Sequence, residues 1–246
     1  MTTAFPFLSD TGMVLAAGFG KRMQPLTLTT PKPLLKVGGR AMLDHALDHL
    51  KAAGITRFVV NAHYLADQIV THCEGLTASD IVLSREDEIL ETGGGIKRAL
   101  AYFSGKPFFV LAGDMPMTEG DAPALVRLAQ AWDSKAMDVL LLVMPRGKAR
   151  GFSGKGDFRV RADGSLARAG VDVPARNVVF ISAMIVNPAL YDEVSETHFS
   201  NNVIFDLAES RGRLFGFVHD GACYHVGTPE DLAEANRLLE NGEGWR

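Results

Sequence analysis

The sequence predicts an α/β protein: a doubly wound, mostly parallel (Rossmann-like) sheet with a small β-rich lobe toward its C-terminus. Two observations predict it. Short apolar runs alternate with helical patterns from residue 12 to about 145, the rhythm of βαβ units whose sheet is covered on both faces. Beyond residue 146 the rhythm changes to a Gly-rich basic stretch, a hairpin signal and further strands. At 246 residues the chain suffices for one substantial domain, or one domain with a modest second lobe.

The elements follow in chain order. Met13–Ala17 is a short apolar strand candidate after Asp10-Thr11-Gly12. Ala41–Ala53 carries Met42, Leu43, Ala46, Leu47, Leu50 and Ala53 at helical spacing, and Gly54 follows as its C′ residue. Arg57–Asn61 reads as a strand, Leu65–Cys73 as a helix and Ile81–Ser84 as a strand. After Gly93-Gly94-Gly95 the spacing predicts a helix over Ile96–Phe103, then a buried strand over Pro107–Ala112. A helix over Ala124–Trp132 and a strand over Val139–Met144 complete the first half.

Arg146–Gly156 reads as a mobile loop, and Asp157–Arg161, Asp163-Gly164 and Leu166–Ala169 as a hairpin. Val178–Val186 is a strand candidate ended near Asn187-Pro188, Val203–Glu209 a helix and Leu214–His219 a strand. The last helix has Thr228 as N-cap, Pro229 at its first position, and Glu230 and Asp231 in its positive first turn. Leu232, Ala235, Leu238 and Leu239 form its apolar stripe.

Composition narrows the function classes. The chain is 47% hydrophobic and 22% charged with a formal net charge of −4, so there is no global electrostatic reason to expect nucleic acid or an anionic membrane as partner. No apolar run approaches the ~20 residues of a membrane span. The N-terminus lacks the basic and apolar regions of a signal peptide, which predicts a cytoplasmic protein. Cys73 and Cys223 make neither a disulfide framework nor a C-x-x-C metal site.

The chemistry concentrates in Val14-Leu-Ala-Ala-Gly-Phe-Gly-Lys-Arg-Met23, continuing to Pro31-Lys32-Pro33. Ala16, Ala17, Gly18 and Gly20 leave room for backbone N–H groups to approach an anion, as a phosphate-binding nest requires. Lys21 and Arg22 would neutralise charge there, Arg22 bidentately, and Lys32 between its prolines could aim an ammonium into the same place. A dinucleotide fingerprint needs a third glycine where Met23 stands, and a Walker A loop needs a spacing and a Lys-Ser/Thr pair that are absent. A Gly-containing surface turn with solvated cations is the competing interpretation.

With L-A-A-G-x-G-x-R-M-x-P-L-T followed by T-P-K-P-L, the sequence resembles the sugar-1-phosphate nucleotidyltransferases. Glu91-Thr-Gly-Gly-Gly95, Gly113-Asp114, Gly156-Asp-Phe158 and Val226-Gly-Thr-Pro-Glu230 follow in the expected order, so the resemblance spans nearly the whole chain. It implies transfer of a nucleoside monophosphate from an NTP to a sugar 1-phosphate with release of pyrophosphate. The subgroup it most resembles is the short N-acetylmuramate-1-phosphate uridylyltransferases, with mannose-1-phosphate guanylyltransferase-like proteins near behind. The implied setting is nucleotide-sugar biosynthesis, for cell-wall recycling in the first case. The implied organisation is one domain over residues 1–246, with a nucleotide-binding part at about 12–145 and a sugar-phosphate-binding part at about 146–246.

Carried over residue by residue, the resemblance places Leu15, Ala16, Ala17 and Gly18 against the nucleotide. Gly20, Lys21 and Arg22 lie along the triphosphate, and Lys32 also contacts phosphate. Glu91, Thr92, Gly93 and Gly94 correspond to the base pocket; the competing interpretation of the triple glycine is a flexible link into the next helix. Asp114 follows the buried run Phe108–Gly113, so it stands at the carboxyl end of a parallel strand, where ligands bind in open α/β sheets and where a carboxylate can hold Mg2+ on phosphates.

The resemblance makes Arg22, Lys32 and Asp114 the catalytic set, and Mg2+ the cofactor, with Mn2+ an option. Gly156, Asp157 and Ser182 fall where the acceptor sugar is contacted, although Ala183 stands where the family has glycine. His225 occupies the place of a second metal-binding aspartate. Three roles stay open for it: metal ligand, neutral donor to phosphate, or packed histidine. His45 and His49, four apart on a helix, read as surface residues. The implied partners are NTP and sugar 1-phosphate, and the chain would be a monomer or homodimer. A catalytically idle binding module is the alternative class, favoured by the histidine alone.

Overall fold

The structure is a computed structural model that describes residues 5–76, 79–169 and 177–242. Seven strands form the body of one sheet: β1 (Thr11–Leu15), β4 (Arg57–Ala62), β5 (Asp80–Arg85), β6 (Phe108–Ala112), β7 (Val139–Pro145), β10 (Asn177–Val186) and β11 (Leu214–Val218). Their order is β11-β7-β10-β6-β1-β4-β5. All neighbours are parallel except at β10, which runs antiparallel to both β6 and β7. The hairpin β8 (Phe158–Val160) and β9 (Leu166–Arg168) pairs onto β10, so the β-rich part extends the same sheet. The short pair β2 (Lys36–Val37) and β3 (Arg40–Ala41) stands apart.

Strand residues alternate between two cores, as a pleated strand dictates. Along β7, Leu140, Leu142 and Met144 face a layer containing α1 (Met42–Ala52), α2 (Ala66–Glu74) and α4 (Ala124–Ala131). Val139, Leu141 and Val143 face α3 (Glu91–Arg98) and α5 (Asn202–Ser210) on the other side. Helix α6 (Pro229–Glu240) closes a third cluster through Ala235 and Leu238, against Met23, Val37 and Val226. Its start is capped as its residues require: Thr228 Oγ1 accepts from the Asp231 amide, and Asp231 accepts from the Thr228 amide at 2.9 Å. Among the described residues no helix is long and apolar enough to cross a membrane.

Three departures from the sequence expectations bear on the site. Strand β1 ends at Leu15, so Ala16 and Ala17 leave the sheet. Helix α3 begins at Glu91 rather than Ile96, with the three glycines in its body, and gives way to a 3-10 turn over Leu100–Phe103. In β10 the register on β7 shifts between Phe180 and Met184, and Ser182 in that bulge has a left-handed φ of 61°.

Candidate active site

A cavity of about 440 Å3 opens at the carboxyl ends of β1 and β6. Its first wall is the loop leaving β1: Leu15, Ala16, Ala17, Gly18, Gly20, Lys21 and Arg22 all line it. Gly20 permits the local turn. Its φ is +60°, and a Cβ would lie 2.9 Å from Thr27 Cγ2 and 3.1 Å from Lys32 Cβ. Thr27 Oγ1 donates to the Gly20 carbonyl at 2.9 Å, fastening the loop. Gly18 has open space before it, as a backbone approached by a ligand needs. Lys21 and Arg22 are exposed in a 3-10 turn, with the Lys21 ammonium 5.4 Å from the centre of the Phe19 ring.

Lys32 and Asp114 meet across this cavity. Lys32 is buried, held between Pro31, which is extended, and Pro33 in the 3-10 turn Lys32–Leu34, and its Nζ lies 2.7 Å from Asp114 Oδ2. Asp114 stands two residues beyond the end of β6, as its place after a buried run foretold. The second wall carries Ile89, Glu91 and Thr92, and Glu91 is itself in a left-handed conformation at φ 61°. Gly227, just before the α6 cap, completes the lining.

Gly93 and Gly94 do not reach the cavity wall. A Cβ on Gly94 would lie 2.1 Å from the Thr197 carbonyl oxygen, and one on Gly93 would meet the Phe199 ring at 2.4 Å. Both amides donate to the Phe199 carbonyl. These glycines let α3 pack against the segment entering α5.

Gly156, Asp157 and Ser182 also lie outside the cavity lining, at the β8–β10 junction. Gly156 has φ +94° and packs on Asn177. Asp157 accepts from the Phe180 amide at 2.9 Å. Burial pushes its carboxyl above the ordinary range, against the downward pull of that hydrogen bond, Arg168 and His225.

His225 lies between these regions. Burial lowers the imidazole pKa and nearby Lys32 adds to the effect, while Asp114 opposes it, so the balance favours the neutral ring. The ring of Phe152 meets it edge-on at 6.0 Å, and its amide donates to the Arg150 carbonyl at 2.9 Å. The 146–156 stretch is therefore stitched to the strand-like segment before α6, where its composition suggested a free loop.

His45 and His49 are half-buried and hydrogen-bonded rather than free at the surface. His49 Nδ1 is 2.6 Å from Glu119 Oε1, and His45 Nε2 is 2.9 Å from the Val37 carbonyl.

Among the described residues no three metal-ligating side chains cluster. The donor set still suits a hard divalent ion shared with a substrate. Asp114 contributes one carboxylate at the cavity, and such ions take their remaining ligands from phosphates and water. His225, being neutral, is a nitrogen donor better matched to Mn2+ than to Mg2+.

Sequence reading missed Asn61, which lines the same cavity from β4. Its Oδ1 accepts from the Ala16 amide at 2.8 Å and its Nδ2 donates to Glu86 at 2.7 Å. Nothing local marks it, because its partners lie 45 and 25 residues away.

Residues 12–204 match the MobA-like NTP transferase domain family. The chain is 38% identical over 237 residues to the N-acetylmuramate alpha-1-phosphate uridylyltransferase of Caulobacter vibrioides, covering 93% of this chain and 96% of that protein. It is 28% identical over 234 residues to probable mannose-1-phosphate guanylyltransferase 1 of Oryza sativa subsp. japonica, covering 92% of this chain and 63% of that one. Among solved structures, HddC from Yersinia pseudotuberculosis superposes with a TM-score of 0.73 at 22% identity, over 93% of this chain and 99% of the other. A UDP-glucose pyrophosphorylase complexed with UDP-glucose gives 0.76 at 16% identity, over 94% and 98%. These two likenesses are of fold.

Proposed function

Because the chain belongs to the MobA-like NTP transferase domain family, we propose that the cavity between the β1 loop and α3 holds an NTP, with UTP the nucleotide of choice. The protein is a sugar-1-phosphate nucleotidyltransferase. Its acceptor, on this proposal, is N-acetylmuramate 1-phosphate, the substrate named for a relative that aligns over almost its full length. The observation that carries the reading is the convergence of Lys21, Arg22, Lys32 and Asp114 on one cavity at the carboxyl end of a parallel sheet.

The reaction is an in-line displacement. A phosphate oxygen of the sugar 1-phosphate attacks the α-phosphorus, the bond from that phosphorus to its bridging oxygen breaks, and pyrophosphate leaves with the electron pair. A phosphomonoester has a second pKa of about 6, so the nucleophile needs no strong base. Catalysis then rests on alignment and charge neutralisation.

The open backbone around Gly18 receives the nucleotide, and Arg22 and Lys32 neutralise the transferring group and the pyrophosphate. Asp114, with His225 as a second donor, would hold a Mg2+ or Mn2+ ion, which supplies charge stabilisation across the phosphates when bound. Asp157 and Ser182, beside His225 and in the β10 bulge, orient the acceptor on the 146–246 side of the sheet.

A matrix assay of pyrophosphate release tests this. UTP, GTP, CTP, ATP and dTTP are crossed with N-acetylmuramate, mannose, glucose and N-acetylglucosamine 1-phosphates, with Mg2+ and Mn2+ separately. The expected maximum is UTP with N-acetylmuramate 1-phosphate. A maximum at GTP with mannose 1-phosphate would move the assignment to the guanylyl branch, and a blank matrix would overturn it.

A further inference from the structure

We propose that Asn61 and Glu86 are positioning residues that tie the two walls of the nucleotide cavity together, and that the direction of their hydrogen bonds sets nucleotide affinity. This rests on the reading of the cavity as the NTP site. Ala16 is the first residue of the β1 loop outside the strand, and its amide donates to Asn61 Oδ1 at 2.8 Å. Asn61 Nδ2 donates to Glu86 Oε1 at 2.7 Å, and the Leu90 amide donates to Glu86 Oε2 at 3.1 Å. Leu90 immediately precedes Glu91 and Thr92, which line the opposite wall. One unbroken chain of three hydrogen bonds therefore spans from the glycine loop to the start of α3.

The chemistry of the chain is forced by its ends. Both ends are backbone N–H groups, which can only donate. Asn61 must turn its oxygen to Ala16, which turns its amide NH2 to residue 86. Residue 86 must then accept at both of its oxygens, and an ionised carboxylate does so where glutamine cannot. This accounts for an acid 3% exposed that forms no ion pair among the described residues. Asn61 is 2% exposed. The backbone of residue 86 is also pinned, its amide donating to the Ala62 carbonyl and its own carbonyl lying 2.9 Å from His63 Nδ1.

Gly95 presses on the same pair. A Cβ there would lie 2.7 Å from Glu86 Oε1 and 2.8 Å from Asn61 Nδ2. The third glycine of the run thus leaves room for the connection between the walls.

The test is titration calorimetry of UTP and GTP binding to the full chain, with nucleotide and acceptor KM measured in parallel. Asn61→Asp sets two carboxylates against each other, and Glu86→Gln turns a donor onto the Leu90 or Asn61 N–H. Each is expected to weaken binding of the preferred nucleotide about tenfold or more, raising its KM and leaving the acceptor KM unchanged. The double variant, Asn61→Asp with Glu86→Gln, reverses the middle hydrogen bond and restores the whole chain at the same net charge. It should return to within about threefold of wild type. Gly95→Ala, which alters no polar group, should weaken binding as the single variants do.

Single variants that bind like wild type, or a double variant no better than the weaker single one, would overturn the proposal. Absence of rescue is also the result expected if Glu86 reads the base directly. Should a single variant fail to fold, as thermal unfolding would show, the double variant decides alone by folding and binding or not. A wild-type chain that binds neither nucleotide overturns the reading of the cavity itself, and this inference with it.

Discussion

Arg22 is exposed on a loop whose shape is fixed by Gly20 and Thr27, so its loss removes charge and little packing. Arg22→Ala should lower turnover by about two to three orders of magnitude with an unchanged unfolding midpoint. Near-normal turnover would remove it from the phosphate site. Asp157 makes the opposite case. Its pKa is raised chiefly by burial, so the folded state holds the proton more tightly than the unfolded state, and ionisation at neutral pH works against folding. Asp157→Asn keeps an oxygen for the Phe180 amide. It should therefore raise the unfolding midpoint at pH 7, by an amount that shrinks to nothing as pH falls below the ordinary aspartate range, while acceptor KM rises. A midpoint gain independent of pH would show that charge burial is not the cause. Arg22, Lys32 and Asp114 were legible as lining one cavity because each sits in a contiguous run whose chemistry is local. Asn61 and His49 were not, since Ala16, Glu86 and Glu119 reach them only through the fold.

At the scale of elements, α3 is where propensity misleads. Glycine costs about 1 kcal/mol relative to alanine in a helix interior, so three in a row read as a link. Here packing overrides that cost, because α3 lies so close to Thr197 and Phe199 that a Cβ would not fit. Gly94→Ala, which would stabilise an isolated helix, should instead destabilise this protein by about 1–3 kcal/mol in chemical denaturation. A stabilised variant would mean that the contact with Thr197 relaxes freely. The last helix shows the reverse: Thr228, Pro229 and Asp231 spell its start in adjacent residues, and the cap forms as spelled. The β10 bulge at Ser182 left no trace in the sequence, because a register shift is a property of the pair β10 and β7 together.

For the whole molecule, the alternation of strands and helices gave the parallel sheet, but not the place of β10. That strand comes late in the chain and lies in the middle of the sheet, between β6 and β7. Among the central strands it alone joins β7 and β11 to the rest. A fragment ending at residue 145 would hold β7 without a neighbour, and should show no cooperative unfolding transition by circular dichroism. A cooperative transition would mean that the first half folds on its own.

During synthesis the same topology imposes a wait. Strand β6 leaves the ribosome well before its partner, so its free edge stays open until β10 emerges. Residues 113–186 take roughly 4–15 s at the usual 5–20 residues per second. Through that interval the nascent chain carries the apolar backbone edge Phe108–Ala112 uncovered, the kind of template that invites a stray strand. Slow translation of this stretch, or scarcity of the chaperones that shield such edges, would cost this protein yield before it affected the finished enzyme.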